Sequence, residues 1–113
     1  MLFRSILDRL FKVLNIDVEF TRHFHDRIND PRNGRDITLE ELMNLYFDVF
    51  KKHGKKIAKL PDDAEAVMKD VSSDVNVPFV LNYDPKTKMI DLVAKTIMRK
   101  KNFKSQSKFY KVD

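Results

Sequence analysis

Apolar residues recur every three or four positions from Leu2 to Leu14. Phe3, Ile6, Leu7, Leu10, Phe11 and Leu14 form one stripe, and Arg4, Ser5, Asp8, Arg9 and Lys12 fall opposite it. That spacing predicts an amphipathic helix. A broad stripe suits docking on the chain's own core, a membrane surface, or self-association through Phe3, Leu7 and Phe11. Asp8 sits among the basic residues of the polar face, which makes the membrane the weakest of the three, and no membrane partner is expected.

Ile16 to Phe20 alternates and predicts a short strand. Thr21 is placed to cap a helix that carries His23, His25 and Arg27, with His23 and Arg27 one turn apart on a shared face. Asp30 to Asp36 reads as a turn built on Pro31 and Asn33-Gly34. Thr38-Leu39-Glu40-Glu41 is a capping box. It opens a helix with Leu39, Leu42, Met43, Tyr46, Phe47 and Phe50 on one side. Lys51, Lys52 and His53 would complement its negative end, and Gly54 would stop it. Pro61-Asp62-Asp63 predicts a brief helix running to about Asp70, its acids answering the helix dipole.

From Val75 the period changes to two. Val75, Val77, Phe79, Leu81 and Tyr83 alternate with Asn76, Pro78, Val80 and Asn82, and Pro78 argues for an edge position or a strand start. Asp84 to Lys88 is a hairpin loop, Met89 to Lys100 the return strand, and Lys108 to Val112 a last strand. Helices first and a meander after them predict an α+β fold, with N-terminal helices packed on a small three- to four-stranded antiparallel sheet. Length fits one domain over 1–113, with the 1–15 helix preceding a 16–113 core.

Composition removes several chemistries. With no cysteine there is no disulfide, no thiolate metal site and no Cys nucleophile. Gly34 and Gly54 are the only glycines, so phosphate-cradling and dinucleotide loops are absent. His23 and His25 offer no third metal ligand at a recognisable spacing. No cofactor is expected. No apolar run nears the ~18 residues that span a bilayer, and the opening Met1-Leu2-Phe3-Arg4-Ser5 has neither the basic start nor the continuous apolar core of a secretory signal. A cytoplasmic location is therefore expected.

Charge is unevenly spread. Residues 1–85 hold thirteen Lys/Arg against fifteen Asp/Glu, whereas residues 86–113 hold nine against two. A basic C-terminal quarter on a near-neutral body suits contact with phosphates, and aromatic residues within it suit nucleic acid better than a merely solubilising face. Arg32, Arg35, Lys95, Lys100, Lys101 and Lys104 are the candidate nucleic-acid contacts. Imidazole, guanidinium, ammonium and hydroxyl groups remain as the available chemistry. Together they are compatible with metal-free phosphodiester cleavage, which needs an acid–base group and cations on the phosphate. His23 beside Arg27 suits that work, because a neighbouring cation favours the neutral imidazole a base requires. A histidine hydrogen-bonded within the core is the plain structural alternative. His53 has a structural explanation at its helix end.

Two stretches carry a resemblance. Thr21-x-His23-x-x-x-Arg27, followed by Arg35-Asp36-Ile37-Thr38-x-Glu40-Glu41-Leu42, is similar to the opening of proteins in the RelE/barnase/EndoU/colicin-type RNase superfamily. Leu92 to Lys101 looks like their late basic strand. BrnT-like toxins and RegB-like phage endoribonucleases share the outline. The resemblance covers about residues 20–112. It implies a 16–113 core of that type and metal-independent RNA cleavage giving a cyclic phosphate and a 5′-hydroxyl. It further implies that His23 is the catalytic histidine, Arg27 its partner, and Thr96 with Arg99 the contribution of the sheet. Two features depart from it: the Asp30–Asp36 loop is long, and strict alternation sends Thr96 and Arg99 to opposite faces unless a bulge intervenes. The competing class is a non-catalytic phage accessory or virion module that binds nucleic acid or a host protein.

Overall fold

The computed structural model describes residues 2–113, with side chains from Ser5 onward. Helix α1 (Leu2–Phe11) passes through a 3-10 turn into strand β1 (Ile16–Phe20), then α2 (Arg22–Arg27), a second 3-10 turn (Pro31–Asn33) and the long α3 (Leu39–Ala58). Strands β2 (Glu65–Asp70), β3 (Val75–Asp84), β4 (Met89–Ala94), β5 (Met98–Arg99) and β6 (Lys108–Val112) follow. The fold is α+β, but the sheet is larger than expected and mixed. It has six strands in the order β1-β4-β3-β2-β6, with β5 also on β3. The β1–β4 and β2–β6 pairs are parallel, and the rest are antiparallel. Among the described residues no helix is long and apolar enough to cross a membrane.

Period-2 alternation divides the sheet into two faces. Ile16, Val18, Val75, Val77, Phe79, Leu81, Leu92 and Ala94 join one apolar cluster with Leu42, Leu45, Tyr46, Val49 and Ile57 of α3. Leu7 and Phe11 of α1 belong to that cluster and are fully buried. Phe11 packs edge-on to Tyr46 and Phe50, with ring centroids 6.1 and 5.2 Å apart. Leu7 and Phe11 therefore cannot mediate self-association, because sheet and α3 already cover them. The Phe3 side chain lies outside the described residues. Asp8, on the helix's other side, accepts the outward-facing Val18 N–H of edge strand β1 at 2.8 Å. This pairs one backbone donor that an exposed edge would leave open.

Thr38 forms the expected capping box, with Glu41 N donating to its hydroxyl and Thr38 N donating to the Glu41 carboxylate, both at 3.1 Å. The helix does not stop at Gly54 but runs on to Ala58. Gly54 is instead a close-approach residue: a Cβ there would stand 2.9 Å from the Leu14 side chain.

The brief helix expected from Pro61 is strand β2. Ala66, Val67, Met68 and Lys69 are all buried between β3 and β6. A strand covered on both faces loses its alternation, so period alone cannot tell it from a buried helix. Asp62 accepts from Tyr83 N at 2.8 Å, and Asp63 turns the chain with φ 65°. The acids therefore serve a turn, not a helix dipole.

Replacing Phe11 with Ala is expected to cost about 3–5 kcal/mol in denaturant unfolding, the usual range for a deleted core aromatic. Sedimentation should give an unchanged mass state. A fully stable variant that falls to a smaller assembly would place Phe11 at an interface instead.

Candidate functional site

Thr21 fixes the start of α2 on the end of β4. Its N–H donates to Ala94 O at 3.1 Å, its hydroxyl donates to Lys95 O at 2.7 Å, and the same oxygen accepts from Phe24 N at 3.1 Å. Phe24 is buried and packs on Phe20 with centroids 4.8 Å apart. With Phe24 inward, His23 and Arg27 share the next face, and His23 is exposed. His25, also exposed, lays its ring near Phe20 and Phe24, at 6.1 and 6.0 Å.

The expected return strand from Met89 to Lys100 is broken. Phe79 pairs with Ala94 and Asn76 with Met98, so Val77 and Pro78 on β3 face the three residues Lys95, Thr96 and Ile97. One extra residue is a bulge, and a bulge reverses the side-chain phase beyond it. Pro78 explains its position. Pro78 O accepts from Lys95 N at 2.9 Å, and a strand residue's N–H points the same way as its C=O. The donor that proline lacks would have pointed into the gap, so Pro78 fits an interior strand without breaking a ladder bond.

The phase reversal brings Arg99 to the face of α2 and α3. Arg99 forks onto Glu41 through two bonds of 2.9 Å and also donates to Ser73 O and Asp36 O. Its side chain is 10% exposed and that of Glu41 is 21% exposed. The Arg99 hydrogen bonds hold the Glu41 carboxyl down at about 2, against desolvation that pushes the other way, and they raise Arg99 further. Asn33, 6% exposed, accepts Arg99 N at 3.1 Å and donates to Arg27 O at 3.0 Å. It ties the end of α2 to β5.

These connections leave a cleft of about 520 Å³ between α2, the Pro31–Asn33 turn and the bulge. His23 and Arg27 line one wall, Asp30, Arg32 and Asn33 the next, and Thr96 to Lys100 the third. Asp30 accepts from Arg27 at 2.9 Å and is clamped by Arg32 through Nε, Nη2 and the backbone N–H. With Arg99 closed on Glu41, the cleft keeps three cations, Arg27, Arg32 and Lys100, against the one carboxylate of Asp30.

The structure thus brings together His23, Arg27, Arg32, Thr96, Arg99 and Lys100. Arg99 is there as a strut, with both terminal nitrogens occupied. The other four candidates lie elsewhere. Lys95 pairs with Glu65 at 2.6 Å, and Lys101 and Lys104 line a second cleft. Arg35, 71% exposed, stands 3.9 Å from Glu41 and off the cleft lining. His53 does not complement a helix end, since α3 continues past it. Its Nε2 meets Lys111 O at 2.9 Å, which makes Nε2 the protonated nitrogen and fastens α3 to β6. Asn33, Asp30 and Glu41 carry positioning roles that turn and cap signals concealed. Among the described residues no three His, Asp or Glu side chains stand where they could hold one metal ion.

No family model matches the chain, and neither the curated proteins nor the solved structures contain a match.

Glu41→Gln should destabilise the protein by roughly 2–3 kcal/mol at neutral pH, below the ~3–5 of a fully buried pair. The folded carboxyl sits at about 2 against an ordinary 4.5, so the unfolded chain binds the extra proton between those values. The ion pair's stabilisation is therefore complete above about 4.5 and is lost as pH falls toward 2. Urea midpoints across that window should fall steeply for the parent and less for the variant. Parallel curves would refute the assignment.

Proposed function

We propose that this protein is an RNA-directed endoribonuclease of the RelE/barnase/EndoU/colicin type, cutting without a metal ion. The observation that carries this reading is the exposed His23 in a cleft with Arg27, Arg32, Lys100 and Thr96 around it. An exposed imidazole stands beside cations that a phosphodiester would occupy. In the proposed step His23 takes the proton of a ribose 2′-hydroxyl. The 2′-oxygen bonds to phosphorus, the P–O5′ bond breaks, and the departing 5′-oxygen takes a proton from water. Arg27, Arg32 and Lys100 offset the charge that builds on the phosphoryl oxygens. Thr96 offers a hydroxyl to the same oxygens. Arg99 acts by holding β5 and α3 in place, which departs from the role that the family resemblance implies for it.

A second reading, RNA binding without cleavage, is favoured by one feature: the cleft contains a single imidazole, and no second side chain is placed as the acid for the leaving oxygen. Single variants separate the two. On the nuclease reading His23→Ala lowers the cleavage rate on the order of a hundredfold or more, while binding is kept. His25→Ala and His53→Ala change the rate little when folded. The combined Arg27→Ala, Arg32→Ala and Lys100→Ala variant should weaken binding and reduce the salt slope by about 0.7 per lost phosphate contact. Equal cleavage by His23→Ala and the parent would end the nuclease reading. Binding with no cleavage by the parent would establish the second one.

A further inference from the structure

The sheet face away from the helices bears a second cleft, of about 480 Å³, at the β2–β6 edge. Four lysines, Lys69, Lys101, Lys104 and Lys111, line it together with Phe103 and Phe109, and no carboxylate does. The two rings lie 6.1 Å apart at 61°, an edge-on arrangement that cannot hide both faces of both rings. Both are only half-buried.

This cleft is built on a fixed floor. Lys69 is 9% exposed, and its ammonium group is held by neutral oxygens: Asn76 Oδ1 at 3.1 Å and the carbonyls of Lys101 and Lys100 at 3.3 and 3.5 Å. Asn76, fully buried, donates to Lys100 O at 2.9 Å and to Asp74 O at 3.0 Å. Lys100 N in turn donates to Asp74 O at 2.9 Å. A buried ammonium with no carboxylate among these partners leaves the floor positive, at a desolvation cost that an arriving anion would relieve. The same bonds pin the backbone at Lys100 and Lys101. From that pinned turn Lys100 enters the first cleft and Lys101 the second.

We infer that the two clefts form one track for single-stranded RNA. The phosphate to be cut sits by His23, the backbone passes over Lys100 and Lys101, and a neighbouring base stacks on Phe103 or Phe109. The inference deepens the ribonuclease reading and rests on it for the position of the reacting phosphate. Charge and rings together select this ligand. A small anion has no use for two phenyl rings, and a duplex hides the base faces that stacking needs. Lys104 and Lys111 then hold the phosphates on either side of the stacked base.

The test is fluorescence anisotropy of the full chain with a 2′-O-methyl oligouridylate of about ten nucleotides, within the usual single-strand site range. Its blocked 2′-oxygen prevents cleavage, so binding is read alone. Phe103→Ala and Phe109→Ala should each weaken binding about tenfold, with Phe103→Trp restoring it. Lys101→Ala with Lys104→Ala should flatten the salt slope by about 1.4, and a duplex of equal length should be insensitive to the Phe changes. Phe103 lies in a loop, so Phe103→Ala keeps the test valid if Phe109→Ala unfolds. Folded Phe103→Ala that binds the single strand as tightly as the parent overturns the track, even if His23→Ala abolishes cleavage of unmodified RNA. Conversely, Phe-dependent binding by a parent that cuts nothing upholds the track and refutes the nuclease reading. No binding of the oligomer by the parent refutes both.

Discussion

The Arg99–Glu41 ion pair is the interaction on which the rest of the site depends. Its two 2.9 Å bonds join the first turn of α3 to the shortest strand of the sheet, and Arg99 adds the carbonyls of Ser73 and Asp36. Two-residue β5 has little ladder of its own, only the Val75 and Asn76 pairings. Pro78 sets the position of the bulge, the phase reversal beyond it buries Ile97 in the core, and the same reversal turns Arg99 toward α3, where its fork holds β5 in that phase. The geometry of the pair matters more than its charge. Surface ion pairs such as Lys95–Glu65, about half-exposed on both sides, contribute on the order of 0–1 kcal/mol, whereas a forked, largely covered pair with further backbone acceptors contributes more.

This constraint also divides the cations by role. Arg99 and Lys69 are the most covered of those at the two clefts, and the two terminal nitrogens of Arg99 and the ammonium of Lys69 are committed to protein oxygens. They shape the backbone and contribute a fixed field. Arg27 and Arg32 are half-committed, sharing the Asp30 carboxylate, which orders their forks at the cleft wall while leaving donors over. Lys100, Lys101, Lys104 and Lys111 are exposed. Phosphate contacts are expected from the last two groups, because a guanidinium already desolvated and forked onto a carboxylate has little to gain from a second anion.

Local signals were legible from the sequence. Thr21 and Thr38 cap the helices their positions suggest, and His23 and Arg27 share a face because Phe24 between them is the apolar residue that must turn inward. The two strands of alternating pattern around Asp84–Lys88 pair as a hairpin. What the sequence concealed depends on partners distant in the chain. β2 is buried on both faces, so its run Ala66-Val67-Met68 lost the alternation that identifies a strand. Pro78 argued for an edge and instead marks a gap in an interior ladder. Asn33 reads as half of an Asn-Gly turn, and no local pattern reveals that its side chain bridges Arg27 and Arg99. Leu7 and Phe11 showed an apolar stripe without saying what covers it; Phe11 packs on Tyr46 and Phe50, in a helix that begins only at Leu39.

The proposed activity is cleavage of RNA through the ribose 2′-hydroxyl at the His23 cleft. End-group analysis of the products tests it most directly. Purified protein is incubated with an end-labelled single-stranded RNA in EDTA, and the fragments are resolved before and after phosphatase and kinase treatment. Attack by the 2′-oxygen leaves 2′,3′-cyclic phosphate and 5′-hydroxyl ends, formed at the same rate with or without the chelator. Fragments bearing 5′-phosphates, cleavage that EDTA abolishes, or RNA left intact would contradict it.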